Sequence, residues 1–284
     1  MFALLQQEFV RNAFIAGTIV ALITAIIGYF VVLRTHAFAS DSLSHIGFAG
    51  ATGGPLFGLS SLVGMLILTL LSAFGIGILG ERVRERDVET GMVLAFALGL
   101  GVLFTGLYAS GTNATATVSA LFGSILSVTQ SDVIITSVIG LLVLVLLSAM
   151  FRPLLFTSID PEVAQARGVP THLLSILFLL LLAVTIAIAI QVVGALLVFA
   201  LLIAPAASAM RFTNRPLATI TLSSIFGLAI TWLGLLLTVV GTGRYLPASF
   251  YIATLATLVY VIAAAAHRHH ASMHSRFSRD TMGQ

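Results

Sequence analysis

Apolar stretches of about 20 residues succeed one another along almost the whole chain, and nearly every charge falls between them. A helix of that length crosses a hydrocarbon layer about 30 Å thick, and lipid tolerates only structures that satisfy every backbone polar group internally. The chain is therefore expected to be all-α, a polytopic helical membrane protein. Composition agrees: 59% of the 284 residues are hydrophobic and 8% are charged, where soluble domains carry about 25% charged residues.

The apolar windows fall at residues 12–33, 36–54, 59–79, 88–109, 132–151, 171–190, 192–210, 217–239 and 248–266. Spans rich in Gly and Pro can break or re-enter, so eight or nine transmembrane helices are expected. Residues 114–128 are too short to cross and read as an interfacial or re-entrant helix. No small-residue cleavage site follows the first run, which reads as a retained span. Residues 1–266 form one transmembrane domain, and 267–284 a His/Arg-rich tail.

The basic residues are all Arg, and they fix an orientation. With 157–170 in the cytoplasm, Arg34, Arg82, Arg84, Arg86, Arg152, Arg167, Arg211, Arg215, Arg268, Arg276 and Arg279 lie inside, and Arg11 and Arg244 outside. Positive charge collects on the cytoplasmic side, so the N-terminus is expected outside and the C-terminus in the cytosol. A net charge of +3 would suggest an anionic partner in a soluble chain; here the charges mark topology, and no nucleic-acid partner is expected.

Within the second span, Asp41 and His45 stand one helical turn apart and share a face. An ionisable pair in hydrocarbon is costly and points to function. Carboxylate and neutral imidazole together suit Zn²⁺, Mn²⁺ or Fe²⁺. The competing reading is a buried pair satisfying each other with no ligand. Two ligands leave coordination positions open, as suits a site that releases its cargo, and two copies of the chain meeting around a pore would supply four. Ser40, Ser42 and Ser44 are expected to bond back to their own helix, and the small residues around them place this span centrally. The chain has no Cys, which excludes disulfides and thiolate metal sites.

The segment Ser158-Ile159-Asp160-Pro161-Glu162-Val163-Ala164-Gln165-Ala166-Arg167-Gly168 spells a short capped helix over about 158–169. Asp160 is the N-cap, Pro161 the first helical position, Glu162 favours the positive end, and Gly168 terminates. On local physics it is as much a connector as a docking surface, with Glu162, Gln165 and Arg167 pointing outward. Gly194 and Pro205 loosen the span 192–210, making it a candidate pathway or hinge helix. The alternating charges of 81–89 read as a solvated turn. His267, His269, His270 and His274 in the tail could bind metal, against a tail lying near anionic lipid.

Together these segments resemble the permease subunits of zinc/manganese/iron ABC importers. The resemblance is carried by Gly28-Tyr29-Phe30-Val31-Val32-Leu33-Arg34, Ser40-Asp41-Ser42-Leu43-Ser44-His45, Leu121-Phe122-Gly123-Ser124-Ile125-Leu126-Ser127-Val128, the Asp160–Gly168 helix, Val193-Gly194-Ala195-Leu196-Leu197-Val198 and Leu202-Ile203-Ala204-Pro205-Ala206-Ala207, in family order. It implies a multi-pass protein of a bacterial-type plasma membrane, a homodimer working with two cytoplasmic ABC ATPase subunits and an extracytoplasmic metal-binding protein. It implies that Asp41 and His45 receive the transported metal and that Asp160 to Gly168 form the coupling helix seated in the ATPase. The permease would then hold no permanent cofactor and catalyse nothing itself. Some zinc-associated members carry a His four residues after the position of Gly91; Ala95 stands there here, which counts against zinc.

Two other classes remain in view. An ion-coupled secondary metal carrier would need no ATPase and leave the 160–168 helix idle. An intramembrane metal-dependent hydrolase would need an H-E-x-x-H, which is absent, and no paired carboxylate accompanies His45. The chain also lacks a P-loop and any Lys, so ATP hydrolysis by that route belongs elsewhere.

Overall fold

The computed structural model describes residues 7–79, 86–109, 123, 125–240 and 247–281. Every regular element among them is helical: α1 (Glu8–Leu33), α2 (Ala37–Leu56), α3 (Ser61–Leu79), α4 (Arg86–Ala109), α5 (Gln130–Ile159), α6 (Pro161–Ala166), α7 (Thr171–Val193), α8 (Ala195–Ala209), α9 (Pro216–Val240) and α10 (Ala248–Thr281). One 3₁₀ turn, Ile125–Ser127, precedes α5.

α1 and α7 form the centre. Their most apolar segments are 67% and 72% buried, against 17% for α4 and 22% for α10. A helix that is apolar all round faces either packed protein or lipid, and burial sorts these helices between the two. α1 packs against α9, α8 and α5, while α7 packs against α3 and α5; α2 lies between α3 and α4 with α7 behind it. At one end of the bundle Phe30 of α1 meets Phe151 of α5 edge-on at 5.6 Å and Phe178 of α7 at 6.2 Å.

Between helices in lipid there is no hydrophobic driving force, so tight association depends on close approach through small residues. Two crossings show this. On α1, a Cβ at Gly28 would strike the carbonyl of Leu202 on α8. On α2, a Cβ at Gly50 would lie 2.5 Å from the Gly64 carbonyl oxygen of α3, and a Cβ at Gly64 would strike the Gly50 carbonyl in return.

Among the described residues, seven helices are long and apolar enough to cross a membrane: α1, α3, α4, α5, α7, α9 and α10. α2 has the length, 20 residues, but its serines, glycines and the Asp–His pair lower its hydropathy. α8 is apolar but has 15 residues, about 22 Å of helix, because it begins at Ala195 and not near residue 192. α5 departs in the other direction. It runs through Pro153 for 30 residues, about 45 Å, longer than a core of about 30 Å requires, and its last turn leads directly into α6. α10 continues as one helix past residue 266, where the sequence marks the start of the tail. Of the expected 114–128 helix, residues 114–122 and 124 lie outside the described residues.

The α2–α3 crossing yields a prediction. Gly64→Val should destabilise the purified protein by about 1–3 kcal/mol through overpacking, read as a lowered midpoint in a thermal unfolding assay. Gly75→Ala, on the same helix with nothing within 4 Å of its Cβ position, should leave the midpoint unchanged.

Candidate functional site

From Phe38 to Gly54, α2 is buried at every position except Phe38, Asp41, His45 and Phe48. Their 3-4-3 spacing makes one stripe along the helix. The only carboxylate and the only imidazole within α2 thus fall on the face of that helix that its neighbours leave uncovered. The Asp41 side chain is 36% exposed and that of His45 28%, with His45 Nε2 3.8 Å from Asp41 Oδ1. That separation is too long for a hydrogen bond. Two donors each about 2.1 Å from one metal ion lie up to about 4 Å apart, so the pair fits a shared cation as it stands. No group of three or more His, Cys, Asp or Glu exists among the described residues; one chain offers this site two ligands.

The serines behave as helix residues. Ser40 Oγ donates to the Ala37 carbonyl at 2.7 Å, Ser42 Oγ to Phe38 at 3.0 Å and Ser44 Oγ to Ser40 at 3.0 Å. Their hydroxyls are satisfied within α2, which keeps the buried faces free of stray polarity. The Asp–His stripe stands alone as the polar surface.

α6 follows the local code residue by residue. Asp160 is the N-cap, its Oδ1 accepting from the Val163 amide at 3.0 Å, and Pro161 holds the first position. Gly168 stops the helix at φ +79, with the Val169 amide donating back to the Ala164 carbonyl at 3.1 Å. Ala164 is buried while Pro161, Glu162, Gln165, Arg167 and Gly168 are exposed. Val163 and Ile159 are exposed too. α6 is thus a short helix at the tip of the long α5 with apolar and charged side chains facing out.

Gly194 does not loosen a span; it separates two. It is the C-cap of α7 and the N-cap of α8, with φ 86 and ψ 156, a conformation open to glycine. Gly123, also at positive φ, sits so close that a Cβ there would strike the Val193 carbonyl and lie 2.8 Å from the Gly194 nitrogen. Pro205 is buried inside α8, where it removes one hydrogen bond from the ladder. Neither lies on the α2 stripe. The side chains of His267, His269, His270 and His274 lie outside the described residues.

One cluster escaped the sequence reading. Thr129 caps α5 and Asp132 closes the capping box, its Oδ2 accepting from the Thr129 amide at 3.0 Å, while its Oδ1 accepts from Gln191 Nε2 of α7 at 2.8 Å. A single carboxylate thus ties the start of α5 to the last turn of α7, just before the Gly194 break. Thr129-x-x-Asp132 is a readable capping box; the Gln191 contact, 59 residues away, leaves no local signal.

Residues 6–267 match the ABC 3 transport family. The chain belongs to that family. It is 35% identical over 240 residues, 84% of this chain and 81% of the relative, to the manganese transport system membrane protein MntC of Halalkalibacterium halodurans. It is also 32% identical over 210 residues, 74% of this chain and 80% of the relative, to the high-affinity zinc uptake system membrane protein ZnuB of Haemophilus influenzae. Among solved structures, PsaBC from Streptococcus pneumoniae in complex with Fab shares 30% identity at a TM-score of 0.81, covering 93% of this chain and 95% of that one. This ABC 3 member is accordingly a multi-pass membrane protein of the ATP-binding-cassette transport class.

The α6 cap is testable alone. Asp160→Ala should weaken the helix by about 1 kcal/mol, seen as faster amide hydrogen exchange across residues 161–168, with Asp160→Asn close to wild type.

Proposed function

We propose that this chain is the transmembrane permease subunit of an ATP-binding-cassette importer that moves a divalent transition metal, manganese, zinc or iron, into the cytoplasm by alternating access. The observation that carries the reading is the Asp41–His45 pair, half-exposed at cation-sharing distance on the one uncovered face of an otherwise buried helix. The manganese and zinc systems named for its relatives support the cargo class. His and Asp serve all three metals, so the choice among them rests with the whole assembly.

A polar stripe on a helix within a bilayer needs a partner or a water-filled path. In this reading a second copy supplies it, and a two-fold axis beside α2 brings Asp41 and His45 of both chains around one pathway as four ligands. α2 and α8, though outside the seven apolar spans, then cross the membrane inside the dimer and bring the count to nine. The N-terminus lies outside and the C-terminus, with the 267–284 tail, in the cytosol of a bacterial-type cell, its membrane being the inner one. Asp160 to Gly168 couple to two cytoplasmic ATPase subunits, which perform the hydrolysis, and the opposite mouth receives metal from an extracytoplasmic binding protein. ATP-driven closure of the ATPase pair draws the α6 helices together, rocks the bundle and switches the side to which Asp41 and His45 open. The permease performs no bond chemistry. Gly194 and Pro205 interrupt α7–α8 where such rocking would bend it.

Elemental analysis of a metal-uptake-deficient host expressing the permease, its ATPase and its binding protein should show one metal rising. Asp41→Ala and His45→Ala should each remove that rise at unchanged membrane levels of protein. Accumulation unaffected by both would return the pair to a structural role, and accumulation persisting with a hydrolysis-dead ATPase would favour the secondary carrier.

The natural absence of Cys permits a clean test of the dimer. Phe48→Cys, on the uncovered stripe, should cross-link to a double-mass species in oxidised membranes, whereas Leu43→Cys, buried within the chain, should not.

A further inference from the structure

The end of the bundle that carries α6 also carries the turn leading into α2, and one side chain joins them. Arg34 caps α1. Its Nη1 donates to Thr157 Oγ1 at 3.2 Å and to Ser158 Oγ at 3.3 Å. Both hydroxyls spend their own protons on the Leu154 carbonyl, so their oxygens are left as acceptors facing the guanidinium. Thr157 and Ser158 are in the last turn of α5, just before the Asp160 cap of α6. The Arg34 guanidinium also lies over the Phe178 ring of α7 at 5.7 Å, and His36 stacks on that ring at 5.9 Å and 27°.

The connection onward to α2 is short and stiff. Thr35 donates to the Val32 carbonyl and His36 to the Val31 carbonyl, the double bond pattern of a Schellman turn, with Thr35 at φ 57 where glycine is usual. A β-branched residue in that region is held there by its surroundings. His36 then accepts the Ser40 amide at 2.9 Å, and Asp41 follows five residues on, about 7.5 Å along the helix.

We propose that Arg34 is the positioning residue that transmits movement of the α6 coupling helix to the Asp41–His45 site, by clamping the end of α5 to the rigid α1–α2 turn. The inference rests on the importer reading. It assigns Arg34 a task that a topology-marking charge lacks: two hydroxyl acceptors and an aromatic face are met at once by a planar guanidinium, which the shorter, point-charged ammonium of lysine does not match. Lysine keeps the positive charge, so a purely topological Arg34 predicts a fully working Arg34→Lys.

The test reconstitutes the permease with its ATPase and binding protein in liposomes and measures metal uptake and ATP hydrolysis in the same sample. Arg34→Lys should lower the metal moved per ATP hydrolysed about tenfold, with ordinary assembly and thermal stability. Thr157→Val/Ser158→Ala, which leaves Arg34 in place, should do the same, and the combination should be no worse than either alone. An unchanged ratio in either variant overturns the assignment, as does uptake and hydrolysis falling in parallel with loss of the assembled complex. A wild-type complex that moves no metal on ATP sinks the importer reading as well; one that does, beside variants of unchanged ratio, sinks only the role of Arg34.

Discussion

Carrying a carboxylate and an imidazole on a helix packed among membrane-spanning helices is the constraint around which this molecule is built. A charge in hydrocarbon is expensive, so the helix that holds Asp41 and His45 has to be shielded on all its other sides. α2 achieves this with residues too small to shield themselves: the glycines and serines allow α3 to approach to backbone contact at Gly50 and Gly64, and the serine hydroxyls bond to their own helix. The hydropathy that α2 gives up is restored by its neighbours. α7, the most apolar of the spans, stands behind it and is also the most buried of them.

Shielding on three sides and exposure on one gives the pair its character. Fully enclosed, Asp41 and His45 would settle into a hydrogen bond and become part of the core; fully exposed, they would meet lipid. At 3.8 Å and part-covered they remain apart and reachable. Under the importer reading, two ligands would hold a divalent ion loosely, and a loosely held ion would leave readily once the site opened to the other side. In the proposed dimer, completion by a second copy would raise the ligand number only while the two chains are in register, so affinity would follow conformation.

Local physics made some elements legible and left others hidden. The cap, first position and terminating glycine of α6 were readable because Asp160, Pro161 and Gly168 lie within nine positions of one another, although the helix is shorter than the expected 158–169, with Ser158 and Ile159 belonging to α5. The positions of the apolar spans were readable because length and hydropathy are properties of the segment itself. The start of α8 was not, since the break at Gly194 is set partly by Gly123, some seventy residues earlier in the chain. Nor was the end of α5, where tertiary packing carries a helix through Pro153 that the local rule would stop near residue 151. Of the site, Asp41 and His45 could be named from spacing, but their place on the one uncovered stripe depends on which faces α3, α4 and α7 take.

Arg34 shows the same limit from the other side. In the sequence it is a charge at the end of an apolar run, and the positive-inside tendency explains it completely. The fold adds Thr157, Ser158 and Phe178, drawn from two other helices more than a hundred residues downstream, and the residue becomes a junction. A transporter driven by a separate motor has to carry displacement from the docking surface to the cargo site without losing it in soft loops. In the proposed coupling the path has few compliant parts: a capped six-residue helix, the tip of α5, one guanidinium, a three-residue turn and the first turns of α2. Stiffness along that path, more than affinity at the pair, is what would tie each ATP to a transported ion.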